Sequence, residues 1–332
     1  MPNYLTTYLT QVKQTNASNS QETRTLPAPS QKEVQIAVSA TGLCGSDLHY
    51  YRHFRNGNII VQEPLTLGHE SAGVVTAAGS GVTNLKVGDR VALEVGIPCS
   101  GEEGKGCEQC KAGRYNICKA MRFRSSAKSF PHAQGTLQSR INHPAEWCHK
   151  LPSNDNTPMS LELGALVEPL SVAMHAYKRS GLPSSSYPSS HTQDRNNGSG
   201  NGDGNGKTIL VLGAGAVGLL CAAVAKINGA KTVLIADILP ERVTFAVENG
   251  FADAAYTVTS PAPDKKPESI DEKLAYAQAV AEEMRGVPVP GAETIGEVDA
   301  TFECTGVESC MHMAIYVSSH FTFSHSYSTC PI

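Results

Sequence analysis

Apolar and polar residues alternate over residues 33–40, where Val34, Ile36 and Val38 predict a half-buried strand. The strand runs into Thr41-Gly42-Leu43-Cys44-Gly45-Ser46-Asp47, whose glycines allow a tight turn and whose short polar residues can cap a helix. Residues 64–82 are β-branched and punctuated by Gly68, Gly73, Gly79 and Gly81, the pattern of a small barrel rather than a helix. Residues 160–180 carry apolar positions at helical spacing, with Ser160 as cap and Gly181 as stop. Residues 184–206 are Ser, Asn and Gly-rich and too polar to build a core, so they read as a flexible insertion without chemistry. Order returns at 208–212, a buried strand that enters a glycine turn and a helix over 219–228. Strands at 232–236, 255–258 and 298–303 and helices over 270–284 and 309–317 complete an alternating β/α pattern, which predicts a parallel sheet. Residues 318–332 are polar and aromatic, with neither period.

Composition places this pattern in a chain of two ordinary domains: 332 residues, of which 40% are hydrophobic and 17% charged. The net charge of -4, without a basic stripe or polybasic cluster, argues against nucleic-acid and membrane partners. No apolar run reaches the length of a membrane span and residues 1–24 lack the apolar core of a signal peptide, so the expected location is cytoplasmic. Four of the ten cysteines crowd between Cys99 and Cys118, a spacing that suits metal better than disulfides.

Three sets of residues carry chemistry. Cys44, His69 and Glu70 offer a thiolate, an imidazole and a carboxylate, the donor types of a zinc centre with an open position. Neighbouring side chains on a strand point to opposite faces, so His69 and Glu70 can share one ion only if Gly68 bends the chain. The plain alternative is a buried histidine bonded to its neighbour. Cys99, Cys107, Cys110 and Cys118 can close a tetrahedral structural zinc site or stand as free thiols, with a glycine-rich segment between Cys99 and Cys107 that can bulge outward. Gly213-Ala214-Gly215-Ala216-Val217-Gly218 lies between a strand and a helix and suits a dinucleotide pyrophosphate, with Asp237 near the offset of a ribose-binding acid. That acid favours NAD over NADP.

The run Gly68-His69-Glu70-x-x-Gly73-x-x-x-x-x-Gly79-x-x-Val82 resembles the zinc signature of the medium-chain alcohol dehydrogenase superfamily. The segments Cys44-Gly45-Ser46-Asp47-Leu48-His49-Tyr50 and Leu166-Val167-Glu168-Pro169-Leu170 are similar to its sorbitol and xylitol dehydrogenase branch, and the likeness runs from about Glu33 to about Tyr316. The resemblance implies an α/β chain: a GroES-like β-barrel catalytic domain over 1–180, an insertion over 181–206, an incomplete Rossmann doubly wound sheet over 207–317 lacking strands five and six, and an irregular tail over 318–332. It makes Cys44, His69 and Glu70 ligands of a catalytic zinc, and Glu168 either a further ligand or the holder of its water. Ser46 and His49 become a proton relay, Tyr50 and Phe123 walls of the substrate pocket, and Gly213, Ala214, Gly215, Val217, Gly218, Asp237 and Arg242 the NAD site.

The implied activity is oxidation of a secondary alcohol of a polyol such as sorbitol or xylitol to a ketose, with zinc and NAD. The second reading is a non-catalytic remnant that holds zinc and adenine nucleotide. The family is homo-oligomeric, an implication that the missing strands weaken for this chain.

Overall fold

The computed structural model describes residues 3–12, 16–99, 106–154, 157–183, 206–259, 261, 267–319 and 323–325. The chain divides into two compact units, one ending at Glu168 and the other beginning at Pro169. The first opens with β1 (Asn3–Val12) and β2 (Asn16–Thr25), an antiparallel pair, followed by β3 (Glu33–Gly42) and α1 (Gly45–His53). Two short strands, β4 (Arg55–Asn56) and β5 (Ile59–Ile60), pair with each other. Then come β6 (Glu70–Ala78), β7 (Arg90–Leu93), β8 (Gly96–Ile97), α2 (Glu108–Lys111), β9 (Arg122–Phe123), β10 (Arg140–Pro144), β11 (Cys148–Lys150), β12 (Ser153–Asn154), β13 (Thr157–Pro158) and α3 (Leu161–Ala165).

The main sheet of this unit is antiparallel, in the order β10-β3-β6-β7-β11. Val34 and Ile36 on β3 are fully buried with Val75, Val91, Leu93 and Ile141, so the alternation over 33–40 does mark a core-facing strand. Two register shifts interrupt the pairing of β3 with β6, and the ladder ends on the pair Gly42↔Glu70. Gly73 on β6 sits where a Cβ would lie 2.2 Å from the Ala37 carbonyl oxygen, so the strands approach too closely for any side chain there.

The second unit takes α4 (Val167–Ser180) from Pro169 onward and continues with β14 (Thr208–Leu212), α5 (Ala216–Ile227), β15 (Thr232–Asp237), α6 (Pro240–Glu248), β16 (Ala254–Thr257), α7 (Ile270–Arg285), β17 (Ala300–Glu303), α8 (Glu308–Val317) and β18 (Phe323–His325). Its sheet is wholly parallel, in the order β16-β15-β14-β17-β18. This is the doubly wound arrangement, with β14 and β17 flanking the point where strand order reverses. One core layer packs Ile209, Val211, Val233, Ile235 and Phe302 against α5 and α4; the other packs Leu210, Leu212 and Leu234 against α7 and α8. Among the described residues, no helix is long and apolar enough to cross a membrane.

Three expectations change here. The first domain was expected to run to residue 180, but the units part at Glu168, because Ala173, Ala176 and Tyr177 of α4 are buried in the core of the parallel sheet. The helix read over 160–180 is two: Ser160 caps α3 by accepting from Leu163 N–H at 3.2 Å, and Leu166 separates α3 from α4. The tail after residue 317 is not wholly irregular and the fifth strand is present: β18 pairs with β17 from Thr301↔Phe323 to Glu303↔His325. An open strand edge recruits backbone N–H and C=O groups without requiring alternation, so side-chain pattern gave no sign of it. No sixth strand occurs among the described residues. Residues 184–205 of the insertion lie outside the described residues, as do 100–105 between Cys99 and Cys107.

Candidate metal centre and nucleotide cleft

Cys44, His69 and Glu70 come together in the first unit, each with a ligand atom within 4.8 Å of the others. Local structure explains the convergence. Cys44 is the N-cap of α1, extended at φ -86°, so its side chain projects from the strand-to-helix corner. Gly68 has φ +89°, a left-handed conformation that bends the chain before Glu70 opens β6, which lets two sequence neighbours face one point. At Gly42 a Cβ would lie 2.2 Å from Glu70 Oε2; the absence of a side chain there makes room for the carboxylate.

Asp47 organises the centre, a role the sequence reading did not assign. Its Oδ2 accepts from Cys44 N–H at 3.2 Å, and its Oδ1 accepts from Gly68 N–H at 2.9 Å and from the Ser125 hydroxyl at 2.7 Å. The same Oδ1 lies 3.5 Å from His69 Nδ1, an ion-pair distance too long for a good hydrogen bond, and His69 Nδ1 is buried without a hydrogen-bond partner. The local C-x-x-D capping pattern was the available sequence signal.

Burial pulls the His69 imidazole down, but Asp47 and Cys44 beside it prevail and hold it up at about 11. Burial also raises Glu70, and it pushes Glu168 up to about 7, assisted by the carboxylates of Glu70 and Asp47 and opposed by His69. Asp47 is desolvated too, yet its contacts with His69, Ser125 and Gly68 keep it below the usual carboxylate range. Sulfur, nitrogen and oxygen donors in one place fit zinc. Glu168 stands outside the three-residue ligand set but feels its charges.

The other expected residues divide. Ser46 and His49 lie on α1, three positions apart and so on one face, Ser46 half-buried and His49 exposed. The Phe123 ring meets the His69 ring edge to face at 5.4 Å. Tyr50 is only 2% exposed, packed with Val61, Leu65 and Ala127, and its hydroxyl accepts from Ala127 N–H at 3.3 Å. A ring so enclosed supports the α1 corner rather than walling a pocket.

Cys99, Cys107, Cys110 and Cys118 form a second cluster. Sulfur separations of 3.7 Å (Cys99–Cys110), 3.6 Å (Cys107–Cys110) and 3.9 Å (Cys107–Cys118) match the edge of a tetrahedron with zinc–sulfur bonds, about 3.8 Å. Cys107 N–H donates to Cys99 Sγ at 3.2 Å and Cys99 N–H to Cys118 Sγ at 3.5 Å. The Cys99 amide is the main reason that the Cys118 thiol is drawn down to about 7. Tyr115, inside this lobe, packs on Trp147 at 5.2 Å.

In the second unit a cleft of about 660 Å³ opens at the carboxyl ends of β14, β15 and β17, lined by Gly213, Gly215, Asp237, Arg242, Thr305 and residues of α7 and α8. Gly213 has φ +98°, and a Cβ on Gly218 would lie 1.8 Å from the Gly213 carbonyl oxygen, so the turn and α5 meet without intervening atoms. Gly215 has nothing near its Cβ direction, leaving space for phosphate at the helix N-terminus. Asp237 accepts from Ala214 N–H at 2.8 Å and Leu239 N–H at 3.0 Å, and Arg242 Nη1 lies 3.8 Å from it. Of the expected nucleotide residues, Gly213, Gly215, Asp237 and Arg242 line the cleft, whereas Ala214, Val217 and Gly218 do not: Ala214 is buried and Val217 packs on the core. Sequence reading assigned no role to Glu303, a fully buried carboxylate that holds the following turn through Thr305 N–H at 2.7 Å and Gly306 N–H at 3.1 Å.

Comparison with known proteins agrees with this picture. The model of the alcohol dehydrogenase GroES-like domain matches residues 30–153. A probable D-xylulose reductase A of Aspergillus terreus is 37% identical over 294 residues, covering 88% of this chain and 68% of the relative. Its counterpart in Aspergillus clavatus is 38% identical over 287 residues, covering 86% and 65%. The chain thus spans about two thirds of the length of these relatives. Among solved structures, an oxidoreductase of unknown specificity from Escherichia coli superposes with a TM-score of 0.68 at 29% identity, over 95% of this chain and 74% of that one. The 2R,3R-butanediol dehydrogenase of Bacillus subtilis gives 0.65 at 28%, over 96% and 74%.

Proposed function

The chain belongs to the zinc-binding alcohol dehydrogenase family, and from that premise we propose that it is a cytoplasmic oxidoreductase that interconverts a polyol and its ketose with NAD. The observation that carries the reading is the meeting of Cys44, His69 and Glu70 around Asp47, a donor set for a cation. The names of the D-xylulose reductases support a small ketose as one of the two substrates.

Cys44, His69 and Glu70 would hold the zinc, which would supply a Lewis acid for the alcohol oxygen, and the glycine-turn cleft would hold the NAD, which would supply the hydride acceptor. The remaining work falls to side chains of this chain. Ser46, half-buried on the first turn of α1, takes up the hydroxyl proton, and His49, exposed on the same face of the helix, releases it to solvent. Glu168, a carboxyl that burial raises and that feels the charges of His69, Glu70 and Asp47, is the candidate to hold a water at this centre. Phe123 packs on His69 and limits water on that side. Asp237 accepts from ribose hydroxyls with the lone pairs that its backbone partners leave, and its charge disfavours a 2′-phosphate, which supports NAD over NADP. The four cysteines of the second cluster hold a structural zinc.

The test uses the zinc-loaded protein, with metal content measured on the same sample. NADH oxidation is followed with D-xylulose, and NAD reduction with a panel of alditols. Turnover that disappears with a chelator and with Cys44→Ser is expected. A zinc-replete chain that turns over neither ketose nor alditol refutes the proposal.

A further inference from the structure

Outside the two metal clusters, one other pair of sulfurs is in contact among the described residues: Cys221 Sγ and Cys304 Sγ, 4.0 Å apart. Cys221 lies on α5, the helix that follows the glycine turn, and is 1% exposed within the core. Cys304 directly follows β17, is half-buried, and lines the nucleotide cleft. The next residue, Thr305, places its Cγ2 2.9 Å from where a Cβ on Gly213 would stand, so the segment carrying Cys304 presses on the phosphate-binding turn. One thiol therefore lines the cleft, and the other lies directly behind it in the core.

We propose that Cys304 and Cys221 form an oxidative modification site for small hydroperoxides that enter the nucleotide cleft. The Cys304 thiol gives its proton to solvent as its sulfur attacks one peroxide oxygen; the O–O bond breaks, leaving a sulfenic acid on Cys304, and the departing oxygen takes up a proton from solvent and leaves as water or alcohol. Cys221 sulfur then displaces the hydroxyl from Cys304 sulfur. The S–O bond breaks, the S–S bond forms, and the Cys221 proton leaves with the hydroxyl as water. Two thiols lose two electrons and one peroxide gains them. From 4.0 Å, each sulfur moves only about 1 Å to reach disulfide distance. The bond ties α5 to the turn after β17 and draws Cys304 out of the cleft wall, so dinucleotide affinity falls. A bound dinucleotide covers Cys304 and slows the reaction.

The experiment treats the full chain with hydrogen peroxide, with and without NADH, and maps disulfides by non-reducing peptide mass spectrometry, which needs no variant and does not rely on activity. A linked Cys221–Cys304 peptide, lighter than its two reduced parts by two hydrogens, is expected, with formation slowed by NADH. NADH affinity of the oxidised protein should fall at least about fivefold and recover with dithiothreitol. Cys221→Ala should leave a sulfenic acid on Cys304 that dimedone traps. Separate alkylation of both thiols after peroxide treatment, or linkage that proceeds equally fast with saturating NADH, overturns the proposal.

Discussion

Replacing Gly42 with alanine tests the metal centre through an atom the centre does not contain. The added Cβ would stand 2.2 Å from Glu70 Oε2 and 3.1 Å from Glu70 Cβ, where ordinary contact begins at 3.4 Å, so the carboxylate must retreat by about 1.2 Å. Metal–ligand bonds tolerate about 0.2 Å, so Glu70 leaves the set. Cys44 and His69 remain, and zinc affinity at this centre should drop by more than roughly 10- to 100-fold, the scale for losing a group that only supports a ligand. Gly45→Ala is the matched control: it lies at the same corner, on the first turn of α1, and nothing stands within 4 Å of its Cβ direction. Competition against a chromophoric chelator, with total zinc counted, measures the effect. Gly42→Ala should lose one equivalent and keep the one held by Cys99, Cys107, Cys110 and Cys118, while Gly45→Ala keeps both. Equal affinities in the two variants would refute the reasoning, because the steric conflict would then have been absorbed without moving a ligand.

Two further predictions follow from other parts of the fold. His143 is fully buried between Arg124 Nε, which donates to its Nδ1 at 3.0 Å, and the Glu94 carbonyl, 3.0 Å from its Nε2; burial first and then the Arg124 charge bring it down to about 3. An arginine only donates, so Nδ1 accepts and Nε2 carries the proton, which makes the ring neutral. The folded protein binds fewer protons here than the unfolded one between pH about 3 and 6.5, so stability falls as pH drops through that window, by roughly 4–5 kcal/mol in full. His143→Asn keeps an acceptor for Arg124 and removes the titration, so the stability difference between wild type and variant in urea melts should shrink from pH 7 to pH 4.5; a constant difference rejects this. Gly218→Ala drives a methyl to 1.8 Å from the Gly213 carbonyl oxygen, a backbone atom with nowhere to go. It should cost about 1–3 kcal/mol by overpacking and lower NADH affinity at least about tenfold in calorimetric titration, with zinc content unchanged.

The meeting of Cys44, His69 and Glu70 was legible because few side chain types bind zinc, and because the need for a bend before Glu70 pointed to Gly68, which takes φ +89°. The glycine turn and Asp237 were legible because strand, turn and helix follow one another within a short stretch. What escaped depends on distant partners. Asp47 looks in sequence like an ordinary helix-cap residue, yet one of its oxygens serves Gly68 and Ser125, 21 and 78 positions away. Tyr50 stands beside His49 in sequence, but α1 turns it inward onto Val61 and Leu65. The apolar stripe of α4 announces that it will be buried without saying in which unit. β18 owes its place to a neighbouring strand edge rather than to its own residues.

The packing of Tyr115 on Trp147 has a practical consequence. Trp147 is the chain's single tryptophan, 8% exposed, and its indole lies 5.2 Å from a ring anchored inside the cysteine lobe. The protein therefore carries an optical gauge of that lobe. If the lobe loosens on loss of metal, Tyr115 withdraws, water reaches the indole and emission moves to the red, while circular dichroism continues to report the sheets. Two melting curves from one unlabelled sample then separate the lobe from the fold that bears it.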